Sequence, residues 1–267
     1  MMKNYKITAL KMGEARVPAA EVYWMTKLYG WEMLTFWSFL IESEDRKVLL
    51  NTGFPKDYSA LDALWTNWAY EAMNEHGHEP VINEDNWIVN ALAQHQVRPE
   101  EINDVIITPI TSYATGGLDQ FPNANIWVSH KGWMDFHAPD PEIPQLPRNI
   151  LFPDHVISYL VKQEAAARIK LLPDEETEFL PGITSWFCGG HHRSSMLFKV
   201  QTKDGLVGLT DAVFKYRNFE DKIPLGLSES IEEHYRLFAK MEREVDMVLP
   251  LYDGDIQKKH PNLIVGA

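Results

Sequence analysis

Short apolar runs recur along the chain and predict a series of β-strands. They lie near residues 36–41, 47–50, 104–108, 125–129, 183–188, 196–201, 206–210 and 245–250. Runs of this length, bounded by turn residues, are typical of buried strands. Helical patterns fall between some of the runs, so periodicity predicts an α/β protein.

Two of the intervening segments have clear helical spacing. One helix is predicted to begin at Ser230, where Ser230 and Glu233 have the spacing of a capping box. Its predicted apolar stripe consists of Ile231, Tyr235, Phe238 and Met241. A second helix is predicted to start near Asn83, with an apolar stripe formed by Trp87, Ile88, Ala91 and Leu92.

Composition narrows the class of protein and its partners. With 267 residues and 45% hydrophobic residues, the chain is predicted to form one globular domain over 1–267. We found no apolar run of the roughly 18–20 residues that span a bilayer, and no signal-peptide pattern, so we expect a cytoplasmic protein with no membrane partner. A formal net charge of −13 opposes nucleic-acid binding. Cys188 is the single cysteine, which excludes an intrachain disulfide.

The segment from Thr108 to Asp119 reads Thr-Pro-Ile-Thr-Ser-Tyr-Ala-Thr-Gly-Gly-Leu-Asp and follows an apolar run. It resembles the metal-binding loop of the metallo-β-lactamase superfamily, T-H-x-H-x-D-H-x-G-G-L, whose imidazoles and carboxylate bind one or two transition metals. On that pattern the ligand positions hold Pro109, Thr111, Tyr113 and Ala114. Pro and Ala cannot ligate a metal, and hydroxyl groups are poor substitutes for imidazole and carboxylate on zinc.

Four further segments extend the resemblance over most of the chain. They are 49–55 (an L-x-D-T-G turn, with Asn51 for Asp), 189–195 (a P-G-H-T-P-G-H loop), 209–214 and 248–253. His191 matches the earlier, usually non-ligating His of its loop, and the ligand positions in these segments hold Ser195, Asp211 and Tyr252. Of the seven ligand positions, the resemblance retains Asp211 alone, so we expect no bound metal and no other cofactor.

The order of these parts is similar to the N-acyl homoserine lactonase branch, with a long helical insert at about residues 57–96. The resemblance implies an αββα sandwich, in which two mixed β-sheets carry helices on their outer faces. Within the insert, His76 and His78 are predicted to lie in a turn with no ligand role.

The resemblance brings five polar loops together at one end of the sandwich. The residues expected to carry catalysis are Asp211, His191, Arg193, Tyr113 and Tyr252. Those expected to bind the substrate are Thr111, Ser112, His192, Ser195 and Asp253. Asp211 or His191 would act as general base, Arg193 would stabilise negative charge, and Tyr113 or Tyr252 would donate a proton. Each also has a structural interpretation; the two tyrosines, for example, could fill the volume that metal ions and imidazoles occupy in the family.

Three functions are compatible with these residues. The first is a metal-independent acid-base enzyme, hydrolase-like, that acts on a small cyclic ester, amide or carbonyl compound. The second is a non-catalytic member of the superfamily that binds a small molecule or a protein. The third is a lactonase-like metallohydrolase with an atypical metal site. Aromatic residues crowd the segment 17–35, which either packs in the core, covers the pocket or forms a homodimer interface.

Overall fold

The computed structural model describes residues 3–74 and 80–267. Its strands are β1 (Lys6–Pro18), β2 (Trp31–Glu42), β3 (Lys47–Leu50), β4 (Asp104–Ile106), β5 (Asn125–Ser129), β6 (Ile169–Leu172), β7 (Thr177–Leu180), β8 (Ile183–Phe187), β9 (Met196–Thr202), β10 (Gly205–Thr210), β11 (Met247–Pro250) and β12 (Ile264–Val265). His76 and His78, for which a turn was predicted, lie outside the described residues.

The α-helices lie between these strands. They are α1 (Ala19–Val22), α2 (Ser59–Met73), α3 (Ile88–Gln94), α4 (Ser112–Thr115), α5 (His130–His137), α6 (Arg148–Leu151), α7 (Asp154–Leu160), α8 (Gln163–Ala166), α9 (Tyr216–Glu220), α10 (Ile231–Glu244) and α11 (Ile256–Lys259). One-turn 3-10 helices occupy Glu84–Asn86, Pro99–Glu101 and Leu118–Gln120. Within the described residues no helix combines the length and apolar character needed to cross a bilayer.

The strands form two mixed sheets. The seven-stranded sheet has the order β12-β1-β2-β3-β4-β5-β6, and the five-stranded sheet has the order β11-β10-β9-β8-β7. Pairing is parallel from β3 through β6 and between β10 and β11, and antiparallel elsewhere. Because β3 to β6 are parallel, their carboxyl ends lie at one edge of the seven-stranded sheet, and the loop after β4 starts there. In the other sheet, β10 and β11 are parallel and also end at the same edge.

The main core lies between the sheets, as the burial of β9 shows. Met196, Phe198 and Val200 alternate along β9 and join one hydrophobic cluster with residues of the seven-stranded sheet. Leu197 points the other way and packs with residues of α10 in a second cluster. Successive side chains of a strand point to opposite faces, so β9 is covered by a sheet on one side and a helix on the other.

Helix α10 confirms the predicted start at Ser230 and corrects the predicted stripe. Its buried residues are His234, Leu237, Phe238 and Met241, whereas Tyr235 is 48% exposed. The Ser230 hydroxyl accepts a hydrogen bond from the Glu233 amide. The Glu233 carboxylate does not complete the capping box, because it accepts a hydrogen bond from the Gly190 amide at 2.8 Å instead.

The sequence pattern missed the longest strand, β1, because Lys11, Glu14 and Arg16 interrupt its apolar residues. All three are only partly exposed, and Lys11 pairs with Glu14 at 2.9 Å. The eight predicted strands all occur, with boundaries that differ by a few residues. The predicted helix near Asn83 is also confirmed: α3 buries Ile88, together with Ala91 and Leu92.

Candidate active site

Five loops meet where β3, β4, β8, β10 and β11 end. The loop after β4 begins with Thr108, the turn after β10 begins with Asp211, and the loop 188–195 joins β8 to β9. Contacts between Thr108, Ser195 and Asp211 fix the first three of these segments against one another. The turn at Asn51, after β3, joins them through hydrogen bonds to Thr108 of 2.7 and 2.9 Å. The predicted convergence of distant segments is therefore present in the structure.

Asp211 is fully buried and accepts hydrogen bonds from three side chains. The Thr108 hydroxyl donates to Oδ1, and the Ser195 hydroxyl donates to Oδ2. Each hydroxyl oxygen also accepts a hydrogen bond from a backbone amide: Thr108 from Met196 at 2.9 Å, and Ser195 from His192 at 3.0 Å. The hydroxyl proton is therefore available for the bond to Asp211. A buried carboxylate needs such partners, since an unpaired one would carry a large desolvation cost.

His191 supplies the third contact with Asp211. Its Nδ1 lies 2.9 Å from Oδ2, and only 5% of the side chain is exposed. A carboxylate accepts hydrogen bonds, so Nδ1 carries the proton and Nε2 presents a lone pair. The Phe214 ring packs edge-on against the imidazole, with centroids 4.8 Å apart, and restricts its orientation.

Two glycines shape the backbone that carries His191. Gly189 and Gly190 have φ values of +57° and +76°, which residues with a side chain rarely adopt. A Cβ atom on Gly189 would lie 2.1 Å from Oε2 of Glu233, and one on Gly190 would lie 3.1 Å from the His234 ring. The Gly-Gly pair therefore lets the loop approach α10 closely while it directs His191 toward Asp211.

His192 is held by its neighbour Ser194. Its Nδ1 lies 2.6 Å from the Ser194 hydroxyl and 3.1 Å from the Ser194 amide. Burial, together with the adjacent His191, lowers the pKa of His192 to about 3. His192 is consequently neutral at physiological pH.

A cavity of about 190 Å³ opens beside the two histidines. Its polar lining includes Thr111, Tyr113, His191 and His192. Its apolar lining comes from the insert helix α2 and from nearby loops: Leu61, Leu64, Trp65, Trp68, Leu146, Ile150 and Leu227. Ser228 and Glu229 complete the wall. Ligand sites commonly combine a mostly apolar wall with a few convergent polar groups.

The aromatic segment 17–35 does not contribute to this wall. Tyr29 in that segment is 83% exposed, and Met25 is 68% exposed. The rings that line the cavity are instead Trp65 and Trp68 of α2, together with Tyr113. The two tryptophans in the cavity wall therefore come from the insert.

The two candidate tyrosines differ in position. Tyr113 lines the cavity, whereas Tyr252 lies behind it in the core, with ring centroids 5.9 Å apart. Tyr252 packs against Phe36 and Phe214 at centroid distances of 5.1 and 4.8 Å. Burial raises the pKa of both hydroxyls well above its ordinary value, so both stay protonated. The volume-filling interpretation thus fits Tyr252, and Tyr113 remains a candidate proton donor.

Arg193 does not meet Asp211, which corrects its expected placement. Its guanidinium donates to Glu229 at 2.9 and 3.0 Å and to Asp135 at 3.2 Å. Both carboxylates border a neighbouring surface pocket with Arg193, and Asp211 is already bound by three donors. Two partly exposed carboxylates are better partners for a guanidinium than one that is saturated. Arg193 is therefore not among the residues that line the cavity beside the two histidines.

The remaining predicted ligand-binding residues separate into three groups. Thr111 lines the cavity, and its buried hydroxyl lacks a partner of good geometry among the described residues. Ser195 binds Asp211, and Asp253 accepts the Tyr216 and Asp255 amides at 2.9 and 3.0 Å, so both hold the structure rather than face the cavity. Ser112 is buried and borders a separate surface pocket near His155.

Sequence reasoning missed two kinds of residue at the site. The cavity wall of Leu61, Leu64 and Trp65 has ordinary helical spacing, which does not distinguish a core face from a pocket face. His234 is buried behind the Gly190 turn, and a lone histidine on a helix has no ligand spacing from which the sequence could indicate a role. Ser194 belongs to no motif that would single it out in the sequence, and its contact with His192 depends on the folded loop.

The sequence resembles a family whose corresponding loops bind transition metals. Both oxygens of Asp211 are bound by hydroxyl and imidazole donors. Within residues 3–74 and 80–267, no three His, Cys, Asp or Glu side chains are grouped so as to hold a metal ion. A catalytic zinc needs three protein ligands of imidazole, thiolate or carboxylate type. The side chains around Asp211 therefore do not fit such a centre.

Comparison with solved structures identifies the architecture. The chain has the metallo-β-lactamase fold: two mixed sheets with helices outside. A structure of an N-acyl homoserine lactone hydrolase, with the product N-hexanoyl-L-homoserine at its catalytic metal centre, aligns with a TM-score of 0.75 and 20% identity over 97% of both chains. A probable metal-dependent hydrolase from Staphylococcus aureus aligns with a TM-score of 0.69 and 14% identity over 95% of this chain and 91% of the other.

Sequence comparison points to the same group. An N-acyl homoserine lactonase from Bacillus thuringiensis is 24% identical over 195 residues, which is 72% of this chain and 70% of that protein. Another N-acyl homoserine lactonase, from a Bacillus species, is 25% identical over 195 residues with the same coverage. No protein-family model matches the chain.

Proposed function

We propose that this protein is a lactonase-like hydrolase in which a His–Asp pair replaces metal chemistry. The observation that supports it best is the 2.9 Å contact between Nδ1 of His191 and Oδ2 of Asp211 beside the cavity. The substrate class is a small cyclic ester, with cyclic amides and carbonyl compounds as alternatives. The similarity to N-acyl homoserine lactonases supports the hydrolase class.

His191 is the general base in this proposal. Its Nε2 accepts a proton from water as the water oxygen attacks the substrate carbonyl. The C–O bond of the ester then breaks, and the imidazolium returns the proton to the leaving alkoxide. Water and ester thus yield a carboxylic acid and an alcohol, and His191 is regenerated. Such proton transfers typically contribute about 10²–10⁴-fold in rate.

Asp211 orients the base and does not itself take the proton. It is fully buried and bound by Thr108, His191 and Ser195, so neither oxygen is available to water. Its charge stabilises the imidazolium that forms on His191, and its position selects the Nδ1–H tautomer. This arrangement is the same division of labour that His and Asp have in hydrolytic triads.

Tyr113 and Thr111 place hydroxyl groups in the cavity that can donate to the substrate. Burial keeps the Tyr113 hydroxyl protonated, since it raises the pKa of that group. The apolar wall from α2 can accommodate a hydrocarbon substituent of the substrate. Without a metal to lower the pKa of water, such a site suits esters with good leaving groups better than unreactive amides.

The test is a screen of lactones, cyclic amides and small keto acids with wild type, His191→Gln and His95→Gln. His95 is an exposed histidine outside the site and serves as the matched control. We expect wild type and His95→Gln to turn over a lactone equally, in the presence or absence of chelator, and His191→Gln to be slower by about 10²–10⁴-fold.

Two outcomes would redirect the proposal. Elemental analysis that finds about one tightly held transition metal per chain, with activity lost on chelation, would establish an atypical metallohydrolase. No turnover of any compound, together with a compound that raises the melting temperature, would establish a binding protein.

A further inference from the structure

His191 and His192 both line the cavity, and each has its Nδ1 engaged, but in opposite hydrogen-bonding roles. In His191, Nδ1 donates to Asp211. In His192, Nδ1 is the acceptor, because the backbone amide of Ser194 can only donate to it, at 3.1 Å. A neutral imidazole with an accepting Nδ1 carries its proton on Nε2. The two neighbouring rings therefore offer a lone pair and an N–H group, respectively.

A chain of hydrogen bonds fixes the tautomer of His192. The Ile110 amide donates to the Ser194 hydroxyl oxygen at 2.8 Å. That leaves the hydroxyl proton free to donate to Nδ1 of His192, which lies 2.6 Å away. Ser194 is fully buried, so water does not compete for either contact. The Ser194 hydroxyl and amide together make Nδ1 an acceptor from two donors.

Charge also favours the neutral ring. Burial lowers the pKa of His192 to about 3, and the closeness of His191 and Arg193 acts in the same direction. The ring thus stays neutral while His191 gains a proton during the reaction. Two adjacent imidazolium ions would repel each other, and the neutral state of His192 avoids that repulsion.

We propose that His192 donates a hydrogen bond from Nε2 to the carbonyl oxygen of the substrate and stabilises the oxyanion that develops there. This inference rests on the proposed hydrolase function and assigns to His192 the charge-stabilising role that Arg193 was expected to have. A neutral N–H group held in place can fill this role because it needs no reorganisation during the reaction. His192 is then a catalytic residue, and Ser194 is a positioning residue that acts through it.

The first test measures the tautomer directly and does not depend on activity. Nitrogen-15 NMR of ring-labelled histidine should show a pyridine-like Nδ1 and a pyrrole-like Nε2 for His192 from about pH 5 to about pH 9. His192→Gln identifies the signal by its loss. Ser194→Ala should give a mixture of tautomers. An Nδ1–H tautomer in wild type, or protonation of His192 above about pH 5, would overturn the inference.

The second test asks whether Nε2–H meets a carbonyl group. The probe is 2-pyrrolidinone, an unreactive lactam of the size and shape of a five-membered lactone. Binding should move the His192 Nε2–H proton resonance downfield in wild type and in His191→Gln. A saturable binding signal with no change at His192 would contradict the proposal, as would no binding at any accessible concentration.

The kinetic test compares His192→Ala with His95→Ala on a lactone substrate. Removal of one oxyanion donor typically lowers kcat by about 10²–10³-fold, and we expect that loss for His192→Ala with a smaller change in KM. His95→Ala should match wild type. Ser194→Ala should lower kcat by about tenfold, in parallel with the mixture of His192 tautomers seen by NMR. Full activity in His192→Ala would reject the oxyanion role, whereas full activity in His191→Gln would reject only the proposed base.

Discussion

At the scale of single residues, the site depends on the direction of a few buried hydrogen bonds. Asp211 accepts from Thr108, His191 and Ser195, and each donor is itself fixed by a backbone amide or by packing. Asp211 is fully buried and accepts three hydrogen bonds, so replacing one of its oxygens by a hydrogen-bond donor would lower the free energy of unfolding. Such residues affect both stability and activity when they are changed.

Asp211→Asn tests this coupling. The amide group of Asn would place a donor against the hydroxyl or imidazole donors that surround Asp211. We expect the free energy of unfolding to fall by about 1–3 kcal/mol, the cost of an unsatisfied buried polar group. Turnover should fall by about 10²–10⁴-fold, because the charge that orients His191 is lost. Urea denaturation and steady-state kinetics measure the two effects, and unchanged stability would show that the network is looser than the structure indicates.

At the scale of elements, the start of α10 is joined to the loop that carries both histidines. The Gly190 carbonyl accepts from the Glu229 amide at 2.8 Å and from the Ser230 amide at 3.1 Å, and the Ser228 hydroxyl donates to it at 2.9 Å. Glu233 in turn accepts the Gly190 amide. A loop with two glycines of positive φ would be mobile alone, and these bonds restrict it.

Glu233→Ala should separate the loop from the helix. It removes a charge-assisted hydrogen bond and an acidic group from the first turn of α10, so we expect about 1–2 kcal/mol of destabilisation. Activity should fall by about tenfold, because the loop that carries His191 and His192 becomes less ordered. The matched control is Ser230→Ala, which removes the N-cap and costs about 1 kcal/mol but leaves the Gly190 contact in place. Equal activity loss in both variants would indicate a general effect of destabilisation.

At the scale of the whole molecule, stability should decrease in mild acid because buried histidines are held neutral. Burial lowers the pKa of His234 to about 4 from an ordinary value of 6.5, and it lowers that of His192 to about 3. The unfolded chain binds protons at these groups below pH 6.5, whereas the folded protein does not. The stability that they contribute is therefore complete above pH 6.5 and is lost as the pH falls toward 4.

His234→Leu provides a test of this pH dependence. Between pH 7.5 and pH 4.5, His234 should account for roughly 2 kcal/mol of the loss in unfolding free energy. Leucine fills much of the same volume in the α10 core and cannot bind a proton. We expect near-wild-type stability at pH 7.5 and a shallower acid dependence, measured by urea denaturation across the pH range. The same slope for both proteins would show that His234 does not titrate in this way.

The amino-acid sequence by itself determined the class of fold and which loops form the candidate site. The apolar runs predicted eight strands that the structure contains. The loop patterns around Thr108, His191 and Asp211 predicted the architecture and the loops that meet at one end of it. Local spacing suffices for these features because a strand or a turn is specified by a few adjacent residues.

The tertiary structure alone decided what each side chain does. Arg193 forms ion pairs with Glu229 and Asp135, and Tyr252 packs in the core and does not line the cavity. The tertiary structure also assigned opposite tautomers to His191 and His192, although the two residues are adjacent in the chain. The proton on an imidazole follows the partner of each ring nitrogen, and those partners, Asp211 and Ser194, reach the rings only through the folded geometry of separate strands and a tight loop.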